Sequence, residues 1–242
     1  MSALVITMED KMTNKLETLD CFLAYDIRGK VPEQLNEEVA RRIGRAYAEK
    51  FSPKKVAVGY DIRETSPILA KALSEGLTDG GADVLDIGMG GTEEIYHATS
   101  HFGLDGGIMV TASHNPIEYN GMKLVREESR PISGDSGLFD IRELAEKNNF
   151  SPVGQKGSIE KLDARPAFIE HLLSYVDTDQ LKPLRIVVNA GNGGAGLVVD
   201  ALEEHLPFEF IKVNHEPDGT SPNGSPNPLL PEGLQATMEA IK

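Results

Sequence analysis

The chain has 242 residues, with 24 Lys and Arg against 38 Asp and Glu, a net charge of −14, and 40% hydrophobic residues. That composition excludes a disordered tail, a collagen-like repeat and a coiled coil, and the length suits one or two globular domains with real cores. The acidic balance argues against nucleic acid held on a broad basic face, no apolar run approaches the ~18 residues of a membrane span, and the single Cys21 cannot form an intrachain disulfide, which fits a reducing cytoplasm.

In chain order, the N-terminus carries Glu9, Asp10 and Glu17 and lacks the cationic start and apolar core of a secretory signal. Asn36 to Phe51 spaces Val39, Ile43, Ala46 and Tyr47 as a helix does. Val56 to Val58 reads as a buried strand, Ser66 to Leu77 as a helix with Pro67 in its first turn, and Val84 to Ile87 as a strand. A helix follows from about Glu93 to Phe102, then a strand from Gly106 to Val110. From Asn148 to Asp163 the pattern breaks into polar, Gly- and Pro-containing sequence, which predicts a boundary between domains at 1–155 and 156–242.

Beyond it come a helix near Arg165 to Tyr175, a strand at Leu184 to Val188, a helix from Ala195 to His205 and a strand at Phe208 to Val213. Lys55–Gly88 and Pro183–Asn214 share one layout: strand, polar loop, helix, strand. Strands alternating with helices predict an α/β layer architecture. A loop rich in Gly, Pro and Asn then runs from Glu216 to Pro228 and leads through Leu229-Leu230-Pro231-Glu232 into a last helix. The sequence stops at Lys242 inside that helical pattern with no strand to return to the sheet, so the second domain is expected to be cut short.

The chemistry concentrates in Thr111-Ala112-Ser113-His114-Asn115-Pro116-Ile117-Glu118-Tyr119-Asn120-Gly121-Met122-Lys123. Asn-Pro and Asn-Gly demand turn geometry, so Ser113 is expected on a loop at a strand's C-terminal end, the edge where α/β folds bind ligands. One hydroxyl nucleophile, one imidazole and one primary amine share this string, and Arg126 and Arg130 follow closely. Cations gathered beside an exposed serine in an acidic protein predict a phosphate site. The bland reading of any Ser-His pair is a solvated turn.

The full string resembles the active-site loop of the α-D-phosphohexomutases. Tyr119 to Glu127 and Arg130 to Asp135 resemble the bacterial phosphomannomutase branch of that family. Ala24-Tyr25-Asp26-Ile27-Arg28-Gly29-Lys30 is similar to the family's N-terminal loop, and Pro222 to Glu232 to the approach to its metal loop. The resemblance implies a mixed β-sheet sandwiched between helices, one complete domain and a second, truncated domain of similar layout.

It further implies a phosphoserine enzyme that interconverts mannose 6-phosphate and mannose 1-phosphate through a hexose 1,6-bisphosphate, with glucose phosphates as a second substrate pair. Ser113 would carry the phosphoryl group and offer its phosphoryl oxygen to Mg²⁺. Lys123 and Arg28 would handle or stabilise the moving proton, His114 would shape the site, and Tyr25, Arg28 and Lys123 would meet the substrate. A guanidinium suits that place because it presents a planar fork of donors to phosphate oxygens and holds its charge. The family's Asp-Gly-Asp-x-Asp-Arg metal string does not occur in these 242 residues, so this chain alone is expected to be inactive. The partners expected are hexose phosphates, with neither nucleic acid nor membrane.

Three other readings compete. One is a non-catalytic sugar-phosphate binding module. Another is a dinucleotide-binding protein: Gly191-Asn192-Gly193-Gly194-Ala195-Gly196 fits the G-x-G-x-x-G dinucleotide fingerprint after a strand and before a helix, although the next strand ends Lys212-Val213-Asn214-His215 without an acid at its tip to hold a ribose, Glu216 being only close by. A tight strand-to-helix turn explains it as well. His97 and His101 stand four apart on a helix, a zinc-compatible spacing without an evident third ligand, and two exposed helical histidines are the plainer account.

Overall fold

A computed structural model describes residues 18–224, 227 and 230–242. The N-terminal reading at Glu9, Asp10 and Glu17 lies outside the described residues, as do Ser225, Pro226, Pro228 and Leu229 of the long loop. The first unit contains β1 (Ile27–Lys30), α1 (Glu37–Phe51), β2 (Lys55–Tyr60), α2 (Ser66–Asp79), β3 (Asp83–Met89) and α3 (Thr92–His101). It continues through β4 (Gly106–Val110), β5 (Tyr119–Arg126), β6 (Arg130–Pro131), α4 (Leu138–Lys147) and β7 (Ile159–Lys161). The second holds α5 (Arg165–Leu173), β8 (Arg185–Asn189), α6 (Ala195–Glu203), β9 (Glu209–Val213) and α7 (Pro231–Ile241).

Local chemistry sets the helix ends. Asn36 caps α1, its side-chain oxygen accepting from Val39 N at 3.0 Å, with Glu37 and Glu38 in the first turn where the helix dipole favours anions. Pro67 and Pro231 open α2 and α7, where a missing N–H leaves no helical hydrogen bond unmade.

The first sheet runs β1-β5-β4-β2-β3-β7, with β6 added to β5. β4, β2, β3 and β7 are parallel, while β5 runs antiparallel to both β4 and β1. Side chains alternate across it, as a period of two requires. Val56, Val58, Ile108, Val110, Met122 and Leu124 pack beneath α1, α2 and α4, whereas Ala57, Met109 and Val125 meet Ile95 and Ala98 of α3 on the other face. The mixed sheet between helix layers is therefore present. Cys21 lies in the larger core, where burial pushes its thiol up to about 12.

Four strands, β1, β5, β6 and β7, were not separated by pattern alone, nor was the helix α4. β1 is only four residues long, and β5 contains Asn120-Gly121, read from sequence as a turn. Ile159–Lys161, inside the stretch read as an inter-domain break, pairs parallel with β3 as an exposed edge strand.

The second unit repeats the layout expected of it: β8 and β9 are parallel, with α6 between them in sequence. Its strands are half-buried apart from the exposed Arg185, Glu209 and Lys212. The first unit grips it through Arg165, which places Nε 3.0 Å from buried Glu94 Oε1 and donates from Nη2 to Met89 O at 2.6 Å. No helix among the described residues is long and apolar enough to cross a membrane.

Candidate active site

β4 ends at Val110 and the chain returns into its antiparallel neighbour β5 at Tyr119, so Ser113 sits on the connection between two adjacent strands. Thr111 N donates to Gly121 O at 2.9 Å and closes the base of the loop. Within it, Asn115 N reaches Ala112 O at 3.1 Å and Tyr119 N reaches Pro116 O at 3.0 Å. Ser113 is exposed and adopts a left-handed backbone, φ +54°, a region that non-glycine residues enter only when their surroundings hold them there. Its Oγ lies 3.3 Å from Nδ1 of exposed His114.

Two arginines hold this loop from below. Arg28 on β1 donates from Nη1 to Asn115 Oδ1 at 2.6 Å and Ala112 O at 3.3 Å, and from Nη2 to Asp26 Oδ2 at 2.7 Å. The same Asp26 oxygen lies 3.8 Å from Lys123 Nζ. Asp26 is 1% exposed, and its Oδ1 and Arg28 Nε have no partner among the described residues. A buried carboxylate thus ties the guanidinium and the amine together. The second arginine, Arg63, follows β2 and donates to the carbonyls of Ser113 (2.8 Å), Asn115 (2.7 Å), Pro116 (2.9 Å) and Tyr119 (3.0 Å). Burial pulls its pKa below the ordinary guanidinium value, with Asp61 opposing that shift and Arg28 adding to it.

The structure brings Ser113, His114, Arg28 and Lys123 to one end of the sheet. Lys123 stands on strand β5 rather than in the loop, paired in register with Met109. Tyr25 lies on the turn before β1 with 70% of its surface exposed. The arginines expected to gather beside Ser113 do not. Arg126 pairs with Gly106, at the opposite end of β4, and four residues of strand separate it from Met122, about 13 Å at the usual rise. Arg130 binds Glu127 at 2.6 Å and Glu128 at 3.4 Å, so local carboxylates already hold it.

Arg63, Asp61 and Asp26 were missed in the sequence. Asp61 accepts from Thr111 Oγ1 at 2.6 Å and Ser66 Oγ at 2.5 Å, and the only signal was the polar run Asp61-Ile62-Arg63-Glu64-Thr65-Ser66 between a strand and a helix.

A cleft of about 430 Å³ separates the serine loop from the second unit, lined by Arg63, Ser113 and Asn115 on one side and by Gly191 to Gly194 and Asp218 to Ser221 on the other. The glycine loop is stapled to the long loop opposite: Asn192 N donates to Asn214 O at 2.7 Å, and Asn192 Nδ2 to Glu216 O at 2.9 Å. Gly191 and Asn192 are both left-handed, the geometry of a tight strand-to-helix turn.

Among the described residues no group of three His, Cys, Asp or Glu is arranged to hold a metal ion. A third imidazole does join His97 and His101: the His97 ring centroid lies 4.8 Å from those of both His101 and His171 of α5. His97 is half-buried rather than exposed, packed also against Phe168. Burial, then the neighbouring His101 and His171, lowers its pKa below 6.5.

Two family descriptions match the chain. Residues 20–152 match the family described as phosphoglucomutase/phosphomannomutase, alpha/beta/alpha domain I, and residues 166–242 match its alpha/beta/alpha domain II. A phosphomannomutase of Salmonella montevideo is 57% identical over 233 residues, covering 93% of this chain and 51% of that protein. One from Escherichia coli K12 is 56% identical over 233 residues, with the same coverage. A crystal structure of a phosphoglucomutase/phosphomannomutase family protein from Burkholderia thailandensis superposes with a TM-score of 0.84 at 35% identity, over 92% of this chain and 50% of that one. The chain spans about half the length of the curated relatives it matches.

Proposed function

The chain belongs to the phosphoglucomutase/phosphomannomutase family, and from that premise we propose that it supplies the phosphoryl-carrying half of a phosphomannomutase. The observation that supports this reading most directly is Ser113: exposed, left-handed, and fixed at the end of a mixed sheet beside Arg28 and Lys123. The substrates are mannose 6-phosphate and mannose 1-phosphate, with the glucose phosphates as a second pair.

In the first half-reaction the Ser113 Oγ–P bond of the phosphoserine breaks and a new O–P bond forms to the free hydroxyl of the bound hexose phosphate. As the bond forms, the hydroxyl gives up its proton and the freed Ser113 Oγ takes one up, so that the products are a hexose 1,6-bisphosphate and a free serine hydroxyl. That intermediate reorients, Ser113 Oγ loses its proton as it takes the other phosphoryl group, and the sugar oxygen left behind regains one. Phosphoryl transfer depends chiefly on in-line positioning and on neutralising oxygen charge. On this reading Lys123, whose Nζ lies 3.8 Å from Asp26 Oδ2, has the task of relaying the proton between the sugar hydroxyl and Ser113 Oγ. Arg28 contributes its charge while its donors fix the Asn115 side of the loop. His114 Nδ1, 3.3 Å from Ser113 Oγ, shapes the nucleophile's surroundings.

The Mg²⁺ expected for this chemistry has no ligand cluster among the described residues. These residues do not form a metal site by themselves, and no step above is routed through the ion. A phosphoryl oxygen on Ser113 is the ligand this chain would contribute.

The test uses the full-length gene product. Intact-mass measurement after incubation with hexose 1,6-bisphosphate is expected to show one phosphoryl group, mapped to Ser113, and Ser113→Ala is expected to abolish mutase turnover. An unmodified serine together with an active Ser113→Ala variant would end this reading. Sugar-phosphate binding without turnover or phosphorylation would instead make the protein a binding module.

A further inference from the structure

Arg63 is 8% exposed and all four of its terminal N–H directions are taken by carbonyls of the serine loop: Nη1 by Pro116 and Tyr119, Nη2 by Ser113 and Asn115. Its Nε lies 3.4 Å from Asp61 Oδ2, so the fifth donor faces the carboxylate. That carboxylate accepts the Thr111 hydroxyl at 2.6 Å, and Thr111 Oγ1 accepts from Ser113 N at 2.9 Å. A closed circuit results: Ser113 N–H to Thr111, Thr111 to Asp61, Asp61 to Arg63, and Arg63 back to Ser113 C=O. Both backbone groups of one residue are held by one ring of polar contacts anchored outside the loop, at the exit of β2.

A side chain's direction follows its backbone torsions, and Ser113 occupies a region that serine does not enter without constraint. We propose that Arg63 is the positioning residue of the phosphoryl carrier, holding the Ser113 backbone left-handed so that Oγ returns to one place in both half-reactions. This rests on the reading of Ser113 as the carrier. Arg63 itself touches only backbone and Asp61. A planar fork of five donors is required, because a lysine has three donors radiating from one point and cannot span four carbonyls.

The experiment compares wild-type full-length protein with Arg63→Lys and Arg63→Ala. Wild-type protein that accepts no phosphoryl group from hexose 1,6-bisphosphate fails the carrier reading before Arg63 is tested. Given a phosphorylated wild type, Arg63→Lys is expected to keep its fold by circular dichroism and its KM, and to lose about 10²-fold in kcat, the size of a catalytic misplacement near 1 Å. In Arg63→Ala, added guanidinium ion is expected to recover part of kcat, whereas potassium chloride of equal ionic strength is not. A wild-type kcat in Arg63→Lys overturns the proposal, as does an effect confined to KM or a recovery that any salt produces. Loss of fold in both variants makes Arg63 a general structural group and overturns it equally.

Discussion

Replacing Gly121 by alanine tests whether the strand pairing beneath the serine loop governs the chemistry above it. Gly121 lies opposite Arg28 in the β1–β5 pair, and its carbonyl accepts Thr111 N at 2.9 Å. A Cβ built there runs into Ile27 O, well inside the 3.0 Å that real Cβ atoms respect, and stands 3.0 Å from Thr111 O. Both obstacles are backbone atoms of a paired sheet, so neither swings aside as a flexible side chain would. β1 and β5 must part by roughly 1 Å, which carries Arg28 off Asn115 and lowers transfer about 10²-fold, or about 2.7 kcal/mol of transition-state stabilisation. Overpacking of this kind costs about 1–3 kcal/mol of stability, a fall in Tm of about 2–12 °C for a chain this size. Differential scanning fluorimetry reads the second quantity. Single-turnover transfer from phosphorylated Ser113 to mannose 1-phosphate, in the full-length product, reads the first. Wild-type melting combined with wild-type transfer would refute the argument that the β1–β5 spacing positions Arg28.

Asp26→Asn removes the charge shared by Arg28 and Lys123 while keeping the shape; it is expected to destabilise by about 1.5–3 kcal/mol and to reduce transfer, and an unchanged urea midpoint would show that the carboxylate does not hold the pair. His97, whose folded pKa lies below 6.5, makes stability depend on pH. The unfolded chain binds the proton first, so this contribution is complete above pH 6.5 and is lost as pH falls from there through the lower folded value. Melting temperature is therefore expected to decline on acidification through this range, and His97→Phe to flatten the decline; an equal slope in both proteins would assign it elsewhere.

Sequence periodicity revealed the elements whose side chains face one core. Val39, Ile43 and Tyr47 of α1 and Val56 and Val58 of β2 all enter the larger core as their spacing predicts. β5 was hidden because its residues carry signals of another structure. Asn120-Gly121 reads as a turn, yet Asn120 is buried and donates from Nδ2 to Thr65 Oγ1 and Ser66 Oγ at 2.8 Å each, tying the strand to the start of α2. Gly121 is there because Ile27 O leaves no room for a Cβ. Both requirements arise from contacts more than fifty residues away in sequence, which no local window contains. Arg28 was singled out on the separate segment Ala24 to Lys30, and Ser113, His114 and Lys123 on one long, distinctive string. Arg63 was not, since its partners are main-chain oxygens of that same string and main-chain acceptors leave no mark on residue identity.

The serine loop joins β4 to a neighbour that runs the other way. In a wholly parallel sheet the chain leaving β4 would have to cross over through a helix before rejoining. Here it turns straight back, and its two feet stand one strand spacing apart, about 4.8 Å. Such a short tether has little configurational freedom to give up when cargo arrives or departs. On the proposed reading, a group that surrenders its load and must recover it from the same molecule would gain from that arrangement: after each exchange the empty oxygen would already be where the returning phosphorus comes.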